Sequence, residues 1–312
     1  MLALSLLIIS SVIGAGFATG AELIAFFGHT NMHPVMISVL FSAVMLLLIW
    51  MIVRSTPDNI KESDVHTNKY IFVPIYFIFF TALTAGVTSL SGWMASIVAL
   101  SACIVVVLFG FERLLAFNKY IMAFVLVILL AATIPNQGLM PIQLYPPHVW
   151  RTVLMAILYA GMNCCILDAV ITRAKAKWSN KDIMIASTFA IAVVALLATL
   201  ILTAVRSNGT TADMPIIELA PGSITRIAVL LCVFTSQFVC LFNVSNLSGV
   251  VNKNQRTQGF ILIGLCTVAF ALSFFGFVRI IGALYPAVGA ITIAYIIARA
   301  IKYKVDKAPK HV

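Results

Sequence analysis

The chain has 312 residues, of which 62% are hydrophobic and 10% charged, against ~45–50% and ~25% in a soluble domain. With a mean hydropathy of +1.08, that balance excludes a soluble enzyme, and continuous apolar runs in place of alternation exclude a β-barrel. A net charge of +10 suggests nucleic acid in a soluble protein. Here the basic residues fill short gaps between apolar runs, which points to the anionic lipid surface of a bilayer and away from nucleic acid.

A spanning helix takes ~20 apolar residues. Ten such runs follow in chain order, at 2–28, 33–53, 70–90, 93–110, 117–134, 150–172, 183–205, 224–247, 259–278 and 283–301. The first lacks a positively charged leader, so it reads as mature structure and not as a signal peptide. With the N-terminus inside, sixteen of the 20 Lys and Arg face the cytoplasm. This predicts a multi-pass membrane protein with both termini cytoplasmic. Trp50, Trp93, Trp150 and Trp178 all fall at predicted interfaces, as in an aromatic belt. The six cysteines lie inside apolar runs without metal-site spacing and read as small buried residues. His29, His33 and His148 read as loop residues.

The first run is interrupted by Ile13-Gly14-Ala15-Gly16-Phe17-Ala18-Thr19-Gly20, followed by Glu22. Glycines weaken a helix, and in hydrocarbon the released backbone groups are tolerated only beside a cavity. Close helix packing through Gly16 and Gly20 is the alternative; Glu22, expensive in lipid unless it faces water or a partner, favours a break. The half-helix N-terminus favours its charge and desolvation opposes it, which suits a group that takes up and releases a proton. The sixth run repeats the pattern with Tyr159-Ala160-Gly161-Met162-Asn163 and then Asp168. Asp168 lies near Arg173 and Lys175, where pairing is an alternative to a coupling role. Two interrupted runs five helices apart imply inverted halves, 1–134 and 148–301, ahead of a basic tail at 302–312. Such pairs mark a transporter's substrate site.

Ser179-Asn180-Lys181-Asp182 reads as a helix start. Asn208-Gly209-Thr210 matches a glycosylation sequon and reads as a polar turn. The outer stretch 206–226 contains Met214-Pro215-Ile216-Ile217, an apolar patch that re-enters as a lid or lies on the surface as a loop. In the eighth run, Thr235 and Ser236 either ligate a hard cation or bond back to the previous turn.

The opening motif, with Asn118, the Tyr159–Asn163 pattern, Phe234-Thr235 and Leu284-Tyr285-Pro286, resembles the YkvI-like bacterial membrane proteins over nearly the whole chain. Ala21, where glutamine is common, and the short connection near Ser91-Gly92 depart from that pattern. The resemblance implies the amino acid–polyamine–cation superfamily and its LeuT-type five-plus-five inverted repeat, all-α, with the first and sixth helices broken mid-membrane. It further implies a Na⁺ site between the carbonyls of Ser10 and Ile13 and the hydroxyls of Thr235 and Ser236.

The expectation is therefore an ion-coupled, alternating-access symporter for a small organic solute, an amino acid or related compound. Gly14, Ala15, Gly16, Phe17, Thr19, Tyr159 and Asn163 would form the substrate site. Backbone amides at Gly14 to Gly16 would attract a carboxylate, and Phe17 and Tyr159 would close over an apolar part. Glu22 and Asp168 are the candidate coupling acids, and Na⁺ or H⁺ the coupling ion; no other cofactor is expected. A nucleotide-binding motif is absent from the sequence. The rivals are a nutrient sensor that binds without transport and a passive channel.

Overall fold

The computed structural model describes residues 2–30, 32–57, 69–109, 112–138, 148–210 and 212–307. The first run is three short helices, α1 (Leu2–Val12), α2 (Ala15–Thr19) and α3 (Ala21–Phe27). Then come α4 (Pro34–Ser55), α5 (Lys69–Phe109), α6 (Glu112–Thr133), α7 (Val149–Ala174), α8 (Asn180–Ser207), α9 (Pro215–Leu219), α10 (Ser223–Leu247), α11 (Gln255–Ser273) and α12 (Phe277–Lys307). The described residues are helices and connections, and seven of the helices are long and apolar enough to cross a bilayer.

The helix starts follow local chemistry. Pro34 opens α4 behind His33, whose Nδ1 accepts from the Val35 amide at 3.3 Å. Ser179 Oγ accepts from the Asp182 amide at 3.1 Å and donates to the Asp182 carboxylate at 2.6 Å, the capping arrangement expected at α8. Asn254 caps α11 through the Thr257 amide at 2.8 Å.

The 41 residues of α5 would run ~60 Å as one straight helix, twice a bilayer core. The chain instead reverses at Gly92, whose φ of 82° lies in the left-handed region open to glycine. Thr88 and Ser96 hydroxyls then meet at 2.7 Å, a distance that eight residues of continuous helix cannot give. Thus α5 supplies the third and fourth crossings. With the broken first run and α6, the ten expected spans are accounted for.

The helices pack in two groups. α4 lies against α7 and α8, and α12 packs on α7; α5 packs on α10 and α11. The broken span sits between them, α1 against α7 and α8, α2 against α10. Within the second group, buried Gln237 of α10 donates through Nε2 to Thr84 Oγ1 of α5 at 2.9 Å.

The sixth span corrects one expectation. α7 runs unbroken from Val149 to Ala174. Gly161 is there for proximity: a Cβ on it would fall 2.5 Å from the Gly289 carbonyl oxygen, and one on Gly289 2.0 Å from the Leu158 carbonyl oxygen. The two glycines bring α7 and α12 backbone to backbone, the small-residue contact that holds helices together in lipid. Asn163 stays within the helix, its Nδ2 donating to the Tyr159 carbonyl at 3.0 Å.

Asp168 also has a different partner from the one expected. Its Oδ1 lies 2.7 Å from Nη2 of Arg299 on α12, a charge contact whose atoms are not aligned as a hydrogen bond. Arg299 Nε donates to Ser55 Oγ at 3.1 Å, which ties α4 to the pair. Lys175 turns instead to the end of α4, donating to the Val53 carbonyl at 2.8 Å and to the Thr56 carbonyl.

At the opposite end, Arg206 of α8 donates to the carbonyls of Phe27 at 3.0 Å, Thr30 at 2.8 Å and Met32. Arg206 thereby ties the last carbonyl of α3 and two carbonyls of the connection after it to α8. Asn208 donates to the Asn136 carbonyl at 2.9 Å and the Ala204 carbonyl at 2.8 Å, so the sequon is a bonded turn. The 206–226 stretch does fold inward, placing α9 against α2 with Ile216 fully buried.

Orientation is open to a direct check. On a cysteine-free background, Asp213→Cys should react with an impermeant thiol reagent from outside the cell and Lys181→Cys should not. The reverse pattern would overturn the sixteen-to-four orientation.

Candidate functional site

The break begins where the α1 ladder ends. The Gly14 amide turns back to the Val12 carbonyl at 2.9 Å. Among the described residues no backbone N–H then reaches the carbonyls of Ser10, Ser11 and Ile13. A second break follows at once. Gly20 adopts φ 77°, and Thr19 spans it, donating to the Gly16 carbonyl at 2.9 Å and accepting from the Ala21 amide at 3.3 Å. Glu22 therefore falls in the first turn of α3.

Of these, Ser10 and Ser11 border a cavity of about 550 Å³, in the range of small-molecule sites. Of the residues expected at a site, Ser10, Gly14, Ala15, Gly16, Glu22, Asn163, Thr235 and Ser236 line it. The wall is completed by Tyr76, Phe79 and Leu83 of α5, Met162 of α7 and Tyr285 of α12. Phe79 and Tyr285 meet edge to face, centroids 5.0 Å apart.

Gly16 and Glu22 depend on one another. A Cβ on Gly16 would lie 2.1 Å from Glu22 Oε1, so the glycine leaves the space that the carboxyl group fills. Glu22 is only 7% exposed. Its carboxyl group borders the cavity, and among the described residues no hydrogen bond or ion pair reaches it.

Five expected site residues do not line the cavity. Phe17 is fully buried in the core on the far side of α2, one step round the turn from Gly16. Thr19 bridges the second break. Ile13 is buried and offers only its carbonyl. Tyr159 lies in a cluster with Phe26, Phe27 and Phe41, at centroid distances of 5.1, 5.5 and 5.2 Å. Asp168 sits behind the wall with Arg299. The Na⁺ candidates are split: Ser10, Thr235 and Ser236 border the cavity, while the Thr235 hydroxyl also donates back to the Cys232 carbonyl at 3.1 Å.

The cavity is open at one end. Exposed Arg173, Ala176 and Lys177 form its mouth, with half-buried Trp178 beside them. The other end is buried at Gly16 and Glu22; beyond it lie the Tyr159 cluster and α9, whose Pro215 and Ile216 pack beside Gly20.

The α5 and α12 wall is the part that pattern reasoning missed. Tyr70 is 81% exposed and Tyr76 3%, yet the two look alike within one apolar run. A signal for Tyr285 existed only in the Leu284-Tyr285-Pro286 match.

No family model matches the chain. The uncharacterized membrane protein YkvI of Bacillus subtilis is 21% identical over 342 residues, covering 98% of this chain and 96% of that protein. Among solved structures, the Eremococcus coleocola manganese transporter, crystallised with an aromatic bis-isothiourea compound, superposes with a TM-score of 0.50. The match has 12% sequence identity and covers 96% of this chain and 77% of the other. The chain is thus an all-helical membrane protein, similar end to end to an uncharacterized bacterial membrane protein and in fold to a transporter.

Proposed function

We propose that this chain is an ion-coupled, alternating-access transporter for a small organic solute such as an amino acid or related compound. One observation carries the reading: the cavity runs from exposed Arg173, Ala176 and Lys177 to a buried end at the broken first span, with the aromatic cluster and α9 packed beyond it. A channel needs both ends open at once, and a purely structural bundle has no use for a carboxyl group facing a cavity at a helix break. The mouth carries Arg173 and Lys177, so under the charge rule this state faces the cytoplasm.

Glu22 is the coupling acid in this proposal. Asp168 holds α7, α12 and α4 together through Arg299 and acts by position. Na⁺ enters through the carbonyls of Ser10 and Ile13 and the hydroxyls of Thr235 and Ser236, a set of neutral oxygens that suits a hard cation. The LeuT-type inverted repeat belongs to the same proposal, supported by the first-span break and the two packed helix groups. The cargo of the manganese transporter is not carried over, since among the described residues no three His, Cys, Asp or Glu side chains converge.

Counterflow in proteoliposomes tests the reading. Vesicles loaded with an unlabelled amino acid mixture should take up labelled amino acid faster than protein-free vesicles, and manganese should not move. Binding without counterflow would leave a sensor. The Thr235→Ala/Ser236→Ala variant should lose any Na⁺ stimulation; if the parent protein shows none, the Na⁺ site is discarded and H⁺ alone remains.

A further inference from the structure

Several polar hydrogens around the break are already used within the chain. Ser10 Oγ and Ser11 Oγ both donate to the Leu7 carbonyl, at 2.9 and 2.7 Å. Thr235 donates to the Cys232 carbonyl at 3.1 Å, and Asn163 Nδ2 to the Tyr159 carbonyl at 3.0 Å. At the break the cavity offers acceptors, the Glu22 carboxyl group, Asn163 Oδ1 and the released carbonyls of the α1 end, alongside the hydroxyls of Ser236, Tyr76 and Tyr285, which both donate and accept. The basic mouth does not neutralise them. Arg173 is ten residues beyond Asn163, ~15 Å along α7.

The titratable side chains near Glu22 include Tyr159 of α7, Tyr285 of α12 and Cys232 of α10, not one of them a cation, and among the described residues no ion pair reaches Glu22. Beside this acceptor cluster stands the aromatic wall of Tyr76, Phe79 and Tyr285, whose ring faces attract cations. The donors at the other side are the amides of α2, a helix of five residues, too short to build much dipole for a carboxylate.

We propose that the substrate is a primary amine with an apolar body, whose ammonium group docks on Glu22 in exchange for a proton. The step balances without any change at carbon: the neutral carboxyl group gives its proton to water, and the carboxylate accepts an N⁺–H···O⁻ hydrogen bond. Both the protonated empty site and the amine-filled site are then electrically neutral, while the ionised empty site is not. A lone charge in this cavity is costly, so the cavity closes only around a proton or an amine, which makes the cycle an exchange and not a co-transport. This inference rests on the transporter reading above.

The test uses the purified full-length chain and four probes with matched bodies: phenethylamine, phenethyl alcohol, hydrocinnamate and phenylalanine. Isothermal titration should give phenethylamine at least about tenfold tighter than the alcohol, as a charged hydrogen bond requires. Hydrocinnamate should be weaker still. Amine affinity should rise with pH about tenfold per unit over an acid limb and then level off, because each bound amine displaces a proton. Alcohol or carboxylate binding as tightly as the amine, an amine affinity independent of pH between 5 and 9, or no amine binding at millimolar concentration would each overturn the proposal. Tighter binding of phenylalanine would replace the amine by a zwitterion and leave the transporter reading standing. Amine binding without counterflow of labelled phenethylamine would do the reverse, removing transport and keeping the ligand class.

Discussion

Accumulation of substrate driven by a pH gradient is expected to fall to the level of empty vesicles in Glu22→Gln. The carboxyl group borders the cavity, fills the space left by Gly16 and meets no protein cation among the described residues. Glutamine keeps its volume and removes the ionisable proton. The variant should insert and run as a single species on sizing, because no bond in the described structure depends on the carboxylate. pH-driven accumulation at parent levels in this variant would remove Glu22 from the mechanism. If the variant aggregates, the carboxyl group instead holds the break open, a structural role.

The second large effect belongs to the Asp168–Arg299 pair, and it should be lopsided. The Asp168 side chain is 2% exposed and that of Arg299 21%. Arg299→Met strands a carboxylate with no path to water and should cost ~3–5 kcal/mol of stability. Asp168→Asn leaves a guanidinium that can still reach water, with Ser55 and the Tyr295 ring, 5.6 Å away, for company, so its loss should be smaller. Combining Arg299→Met with Asp168→Leu should recover most of the deficit, since both charges are then gone. Thermal unfolding in detergent ranks the three. Equal small losses in both single variants would mean that the contact carries little energy, and a coupling role for Asp168 would return.

How much of this was legible depends on the reach of each signal. The crossings follow from apolar runs, which are local, and so does the reversal at Gly92, marked by Ser91-Gly92. The first break was readable because three glycines and a glutamate stand within nine residues. The sixth span misled for a physical reason. A glycine that releases a helix and a glycine that admits a neighbour look identical, and here the neighbour is Gly289 on another helix. Asp168 likewise seemed to belong to nearby Arg173 or Lys175, whereas the fold brings Arg299 to it and sends Lys175 to the end of α4. The cavity wall from α5 was hidden because its aromatics differ from lipid-facing ones only in direction, and direction is set by packing.

The Arg206 contacts have a mechanical consequence. They rivet the end of α3 to α8, whereas α1 is held against α7 and α8 by packing. Between them α2 has a swivel at each end, Gly14 and Gly20. The first span is therefore three rigid pieces with a glycine joint on either side of the middle one, and Glu22 rides on the piece that Arg206 anchors.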